Sequence, residues 1–410
     1  EFIGLVKQGR VSQKRLDDAV RRILRVKYRL DLFERPYTKK EDYPSFASKE
    51  HMQKAYLSAA ESITLLKNDK NILPIKTSSK VMVIGPTANS LNCLNGAWTH
   101  TWQGVDPKYN NNNNPTIYEA IKRSASSCDL YEGSIMKMVD GDEADFYSLD
   151  LKSAVKNASK YDVAIVCVGE LPSTERPGDI YRLDLAKEQQ EIVKSLSKTG
   201  IKIVLVLVEG RPKIISEIEP FSEAVIQCYL PGDKGGMALA DIIFGKINPS
   251  GKLPYTYPRY SGVIMHYDHK QSEVINANTW KNDFFNPQYN FGHGLSYTKF
   301  EYSNMNISKS AYSLSEKEIT VTVDVKNTGK ISGKEVVQLY SRDHFATISP
   351  PLRELVRYNK ISLEPGETKT VSFTVDIEEL GFYNVDNVWV NEPGKHSFYI
   401  DNLESTFSLK

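Results

Sequence analysis

Four short apolar runs constrain this chain more than any other feature: KVMVIG at 80–85, DVAIVCVG at 162–169, KIVLVLV at 202–208 and EAVIQCYL at 223–230. Each is shorter than a typical helix and places Val and Ile at consecutive positions, so each reads as a strand covered on both faces. Between them, AKEQQEIVKSLSK (186–198) and GGMALADIIFG (235–245) carry helical patterning. Strands alternating with helices argue a mainly parallel sheet with crossover helices, an α/β sandwich domain spanning 56–262.

The period changes downstream. Ile319, Val321, Val323 and Val325 alternate with Thr320, Thr322, Asp324 and Lys326, and Val371, Phe373 and Val375 repeat the alternation. Turn signals at Asn327-Thr328-Gly329 and Pro365-Gly366 separate the runs. Residues 301–410 therefore read as a β-sandwich of the immunoglobulin or fibronectin type III kind, joined to the α/β domain by a connecting segment, 263–300. At the other end, Leu16, Val20, Ile23, Leu24 and Lys27 recur at helical steps after Ser12, a natural cap, so 12–30 reads as an amphipathic helix in need of a partner. A linker with Pro36 and Pro44 covers 36–55.

Composition excludes more than it identifies. A net charge of +1 over 410 residues gives no electrostatic case for nucleic acid or an anionic membrane. No apolar window approaches the roughly 18 residues that span a bilayer. Cys93, Cys128, Cys167 and Cys228 lack metal-ligand spacing, so no metal is expected; the last two read as buried thiols, and a Cys93–Cys128 bridge is left open. Asn157-Ala-Ser159 and Asn306-Ile-Ser308 are weak glycosylation sequons. The asparagine run of DPKYNNNNN (106–114) reads as a surface loop without a role. EFIGLVKQGRVSQKRL lacks both an initiator Met and a signal-peptide pattern, which points to a longer polypeptide.

Nucleotide chemistry is disfavoured because the first strand runs into GPTANSLN, with one glycine where a dinucleotide site wants three, and no G-x-x-x-x-G-K-[ST] occurs. No G-x-S-x-G elbow supports a serine hydrolase. The informative loop is GELPSTERPGDIYRLDL, 169–185, directly after the second run. It places Glu170, Glu175, Asp179 and Asp184 among two prolines at the carboxyl end of a strand, where open α/β sheets bind ligands. A carboxylic acid that donates a proton near neutral pH needs its pKa raised by apolar enclosure or a second carboxylate, and crowded carboxylates beside aromatics meet that need. The aromatics come from NGAWTHTWQG (95–104), whose Trp98 and Trp102 offer flat rings suited to a sugar face.

Five motifs in order, LNGAWTHTWQG, VGELPSTERPGD, VEGRP (208–212), PGDKGGMALADIIFGKINPSGKLPYTYPR (231–259) and YNFGHGLSYTKFEYSN (289–304), resemble the second half of glycoside hydrolase family 3, the β-glucosidase family. The resemblance covers essentially the whole chain, and it implies that 1–35 is the last helix of a (β/α)8 barrel otherwise missing here. It further implies a retaining glycosidase whose site lies between barrel and sandwich, with an Asp nucleophile on the barrel in a Ser-Asp-Trp-like segment this sequence lacks. The family's acid/base Glu lies in a T-E-x-x-G-D pattern, and Thr174-Glu175-Arg176-Pro177-Gly178-Asp179 matches it, which assigns the role to Glu175 with Glu170 as runner-up. Trp102, through its W-Q-G context, resembles the residue that stacks on the sugar beyond the cleaved bond, ahead of Trp98. Glu170, Asp179 and Arg211 are expected to support the loop, with Glu209 and Arg211 paired. Asp233-Lys234 stands where many members place a Glu before the paired glycines.

The function so implied is a β-glucosidase or exo-β-glucanase releasing terminal glucose from β-glucans and oligosaccharides without a cofactor, in a secreted, periplasmic or lysosomal setting. Its partners would be that substrate and the barrel of the same polypeptide, with no nucleic acid and no membrane. These 410 residues alone should not turn over substrate. The alternative is a non-catalytic carbohydrate-binding or scaffold protein that retains the sandwich and fibronectin-like domains.

Overall fold

The computed structural model describes residues 1–139, 143–148, 151–274 and 286–410. The chain divides into two compact units, Glu1–Lys54 and Ala55–Lys410. The first holds helices α1 (Phe2–Lys7) and α2 (Gln13–Arg29). Ser12 caps α2, its Oγ accepting from the Arg15 amide at 3.2 Å, and Val20, Ile23 and Leu24 on the apolar stripe are exposed.

Helix α3 (Lys49–Ser62) leads into the larger unit and brings the buried Ala59 and Ala60 to the α/β core. Strands β1 (Thr64–Asn68), β2 (Lys80–Ile84) and β3 (Ser127–Tyr131) follow, then a hairpin of β4 (Ser134–Val139) and β5 (Glu143–Ser148), then β6 (Val163–Gly169), β7 (Lys202–Val208) and β8 (Ala224–Gln227). Six of these form one sheet in the order β1-β8-β7-β6-β2-β3, parallel throughout except for β1, which pairs antiparallel with β8. Interleaved helices α4 (Ile117–Ser124), α5 (Leu151–Asn157), α6 (Lys187–Ser197) and α7 (Gly235–Ile243) cover both faces.

The pleat explains the continuous apolar runs. Val81, Val83, Ile165, Cys167, Val204 and Val206 point to the face packed by α3, α4 and α7. Their neighbours Met82, Ile84, Val166, Val168, Ile203 and Leu205 point to the face packed by α5 and α6. Successive side chains face opposite layers, so a strand between two helix layers must be apolar at every position.

The β-sandwich comprises β9 (Phe300–Ile307), β10 (Ala311–Tyr312), β11 (Glu318–Asn327), β12 (Gly333–Asp343), β13 (Glu354–Leu363), β14 (Thr368–Asp376), a short pair β15 (Phe382–Tyr383) and β16 (Trp389–Val390), β17 (Gly394–Ile400) and β18 (Leu403–Leu409). Sheets β10-β18-β17-β12-β13 and β14-β11-β9 enclose a separate core of Val321, Val323, Val371, Phe373, Leu339, Phe398 and Phe407. The alternation along β11 and β14 is therefore core-in, solvent-out.

Polar contacts join sandwich and α/β domain: Lys252 to Glu335 at 3.2 Å, Lys360 to Glu61 at 3.0 Å, and the Asn248 amide to the Ser332 carbonyl at 3.0 Å. A cavity of about 520 Å³ lies at this junction, and none of the residues singled out in the carboxylate or tryptophan loops lines it. Part of the connecting segment, 275–285, lies outside the described residues. The part that follows returns to the α/β sheet, with Leu295 bridging Leu65 and the His293 ring donating to the Leu66 carbonyl at 2.8 Å.

All four cysteines are free thiols, so the bridge left open for Cys93 and Cys128 does not form. The sequons also differ: Asn306 is exposed on edge strand β9, whereas the half-buried Asn157 amide is bonded to the Ser153 carbonyl at 3.0 Å. The asparagine run is not idle. Asn114 is 3% exposed, donates to Asp233 at 3.1 Å and accepts from Lys234 at 2.6 Å.

Candidate active site

The five parallel strands, taken in chain order as first to fifth, lie in the spatial order 2-1-3-4-5. Strand order reverses between β2 and β6, and doubly wound sheets bind ligands in the crevice outside the strand ends at such a point. The two loops that leave these ends are the tryptophan loop, after β2, and the carboxylate loop, after β6. Strand β6 ends in glycine and β2 runs directly into one, because the backbones there close on their neighbours. A Cβ on Gly85 (φ 116°) would lie 2.1 Å from the Cys167 carbonyl oxygen, and one on Gly169 (φ 150°) would lie 1.8 Å from that of Val208.

Glu170, the first residue of the carboxylate loop, is pinned. Its Oε1 accepts from the Gly210 and Arg211 amides at 3.1 and 2.9 Å, and its Oε2 accepts from Arg211 Nη2 at 2.6 Å and Lys213 Nζ at 3.0 Å. Burial opposes its charge, but the Arg211 hydrogen bond and the Lys213 and Arg211 charges outweigh burial and hold its pKa below the usual carboxylate value. Such a group stays ionised and is a poor proton donor near neutrality. Arg211 also reaches the Gly178 carbonyl and, at 3.2 Å, Ser173 Oγ, tying the loop's start to its far side.

Glu175 occupies the tip. Its carboxyl is exposed and makes no hydrogen bond or ion pair among the described residues. Its backbone sits at φ 54°, ψ −154°, a region that residues with a Cβ rarely enter and that costs on the order of 1–3 kcal/mol. Strain of this kind persists only where the surroundings enforce it. The turn Arg176–Gly178 follows directly, closed by the Gly178 amide on the Glu175 carbonyl at 2.8 Å. Asp179 is exposed and contributes to the turn through its backbone, donating to the Arg176 carbonyl at 3.1 Å; its carboxylate makes no hydrogen bond or ion pair among the described residues.

Both indoles project outward, Trp98 at 65% exposure and Trp102 at 46%. Trp98 has φ 63°, and its amide donates to the Thr101 and Trp102 carbonyls at 3.1 Å each, so 98–102 closes on itself. The Asn92 amide holds the Gly104 carbonyl at 3.0 Å, and the Asn95 amide reaches Asp233 at 3.0 Å. Gln103 crosses to the other loop and bonds the Thr174 backbone on both sides. A cavity of about 280 Å³ lies on the inner side of the carboxylate loop, lined by Glu170, Asp179, Gln189, Arg211 and Lys213. Neither Glu175 nor either tryptophan lines it. The arrangement thus presents one exposed carboxyl on a stiffened tip, with exposed indoles on the loop tied to it.

The Glu209–Arg211 ion pair expected from VEGRP does not form, because Arg211 is taken up by Glu170 and Glu209 is buried among other partners. Arg211 pairs with Glu170, whereas Glu209 is 1% exposed and its Oε1 accepts from Tyr257 at 2.9 Å and from the Lys213 amide at 3.2 Å. Burial pushes the Glu209 carboxyl up to about 8, despite those hydrogen bonds. A folded-state value above the ordinary one means that the stability from Glu209 is fully present below about pH 4.5 and is lost as pH rises through about 8. Glu209→Gln keeps the accepting oxygen and removes the titration. Between pH 5 and 8, wild type is expected to lose on the order of 4 kcal/mol more stability than the variant. Urea unfolding at three pH values checks this, and parallel profiles would contradict it.

Sequence reasoning missed Gln103, Lys213 and the Asn95–Asp233–Asn114 lock. The W-Q-G context was the one signal that could have drawn attention to Gln103. Among the described residues no cluster of His, Cys, Asp and Glu is arranged to hold a metal.

Comparison with known proteins gives a consistent picture. Residues 63–297 match the glycosyl hydrolase family 3 C-terminal domain, and residues 335–403 match a fibronectin type III-like domain. The chain is 35% identical to the lysosomal beta glucosidase of Dictyostelium discoideum over 98% of its own length and 50% of that protein. It is also 35% identical to the periplasmic beta-glucosidase of Salmonella typhimurium, over 97% of its length and 55% of that protein. A Listeria innocua beta-glucosidase variant solved with laminaribiose superposes with a TM-score of 0.87 at 28% identity, covering 100% of this chain and 57% of that one. The chain thus spans about half the length of the curated relatives it matches. With the α/β domain, the fibronectin-like sandwich and the two loops at the switch point all in the matched order, this chain belongs to glycosyl hydrolase family 3.

Proposed function

We propose that this chain supplies the general acid/base half of a retaining β-glucosidase or exo-β-glucanase site, with Glu175 as the acid/base. Trp102, with Trp98 beside it, forms the platform for the sugar beyond the cleaved bond. The observation that carries the reading is the strained, exposed Glu175 at the tip of a braced loop at the switch point. A carboxyl so held faces outward, as it must if the second carboxylate comes from the barrel of the same polypeptide.

Retention needs the two carboxyl groups about 5 to 5.5 Å apart. In the first step Glu175 gives its proton to the glycosidic oxygen as the bond to the anomeric carbon breaks and the nucleophile's carboxylate takes that carbon. In the second it takes a proton from the water that releases the glycosyl group. Relatives named lysosomal and periplasmic support a secretory, periplasmic or lysosomal setting.

Glucose release by the full-length protein tests the reading, with cellobiose and laminaribiose as substrates. A β-xyloside belongs in the panel because a 32% identical Formosa agariphila relative is named a beta-xylosidase. We expect hydrolysis of the β-glucosides at least about tenfold faster than of the xyloside, within the range one missing substituent's contacts provide. Sugar binding without hydrolysis of any of them would instead make the protein a carbohydrate-binding scaffold.

A further inference from the structure

We infer that Gln103 is a positioning residue for Glu175, setting the direction of the acid/base carboxyl from the tryptophan loop; the inference rests on the acid/base reading of Glu175. Gln103 Nε2 donates to the Thr174 carbonyl and the Thr174 amide donates to Gln103 Oε1, each at 3.1 Å. The Thr174 amide belongs to the peptide bond from Ser173 and the Thr174 carbonyl to the one that enters Glu175, so the pair fixes both peptide planes that flank Thr174. No other hydrogen bond among the described residues reaches the Thr174 backbone.

The clamp acts where it matters. Glu175 sits at φ 54°, and a residue in that region relaxes toward ordinary backbone angles once either flank is free. Downstream, the Gly178 amide on the Glu175 carbonyl and the Arg211 guanidinium on the Gly178 carbonyl hold the chain. Upstream, Arg211 bonds the Ser173 side chain, and the Thr174 backbone itself is held by Gln103.

Gln103 is itself rigidly mounted. Gly104 follows at φ 76°, where a Cβ would lie 2.7 Å from the Gly96 carbonyl oxygen. Its amide donates to Thr101 Oγ1 at 3.2 Å, and its carbonyl accepts from Asn92 at 3.0 Å. The residue on one side of Gly104 is thus the clamp, and Trp102 is the residue before it. The loop that offers the indole to the leaving sugar and the loop that protonates the leaving oxygen form one connected body.

The test uses the full-length protein and reads kcat/KM, which reports the step that breaks the glycosidic bond. Gln103→Ala and Gln103→Glu are compared with wild type on cellobiose, whose leaving group needs a proton, and on a dinitrophenyl β-glucoside, whose leaving group does not. For Gln103→Ala, cellobiose kcat/KM should fall about 10- to 10²-fold, the scale of a small misplacement of a catalytic group, while the dinitrophenyl value stays within about threefold. Gln103→Glu keeps the acceptor for the Thr174 amide and loses the donor, so it should show the same split, with a thermal midpoint confirming that it folds.

An equal fall on both substrates would make Gln103 merely structural, and no fall on either would remove its role; both outcomes overturn the inference. Glu175→Gln run alongside separates the two levels. If it shows the split and the Gln103 variants do not, the positioning role fails alone. If Glu175→Gln shows no split, the acid/base reading fails and the inference falls with it.

Discussion

Replacing Glu175 by Gln in the full-length protein is expected to lower kcat/KM for cellobiose by about 10²- to 10⁴-fold, the usual contribution of general acid catalysis. The dinitrophenyl glucoside should keep most of its kcat/KM because its leaving group departs unprotonated. The expectation comes from geometry: Glu175 is the exposed carboxyl carried on the strained backbone at the loop's tip, while Glu170 is held charged by Arg211 and Lys213. A companion variant tests the strain. Glu175→Gly removes the Cβ that makes φ 54° costly, so it should leave the fold as stable or about 1 kcal/mol more stable while losing the same activity. A clear loss of stability in that variant would show that the tip is not strained.

The second large effect is expected at Arg211, a residue that need not touch substrate. Its guanidinium bonds Glu170 at 3.0 Å through Nε and 2.6 Å through Nη2, and also reaches Ser173 and Gly178. Arg211→Ala leaves Glu170 largely enclosed with Lys213 as its remaining cation, a loss on the order of 3 kcal/mol for a buried pair broken on one side. Arg211→Lys should recover only part, because one ammonium cannot reproduce the planar fork that spans both ends of the loop. The pH dependence has a definite sign. The folded-state pKa of Glu170 is depressed, so its stabilising contribution is present above the ordinary carboxylate value and is lost as pH falls through the folded one. The gap between wild type and Arg211→Ala should therefore be widest near neutrality and narrow on acidification below about pH 4. Denaturant unfolding at several pH values measures it, and a gap that widens in acid would contradict the assignment.

The layers of the fold were legible because burial on two faces leaves a mark that needs no partner to be seen. VAIVCVG and IVLVLV have no polar position to expose, and β11 alternates because only one of its faces meets the sandwich core. Ser12 announced its helix for a similarly local reason, as a hydroxyl placed before the first helical turn. Strand β1 escaped notice because its pairing to β8 is antiparallel and distant, Thr64 opposite Gln227, and no turn signal links the two. The same physics limited the reading of the site. Glu175 and Trp102 could be placed by motif, but Gln103 to Thr174, Glu170 to Arg211 and Asn114 to Asp233 are contacts between residues far apart in the chain. Glu209 shows the limit most clearly: a glutamate two residues before an arginine invites an ion pair, yet its side chain bonds Tyr257 and is buried.

If Glu175 is the acid/base of a retaining site completed by another part of the polypeptide, the product formed by a variant lacking its carboxyl reveals it. Full-length Glu175→Ala is given the dinitrophenyl β-glucoside with and without azide, and the sugar product is identified by NMR. A slow steady state after an initial burst of dinitrophenol, acceleration by azide, and accumulation of β-glucosyl azide are expected, because the covalent intermediate forms but lacks the base that would activate water. Unchanged turnover with free glucose as the sole product, or an α-glucosyl azide, would contradict the acid/base role.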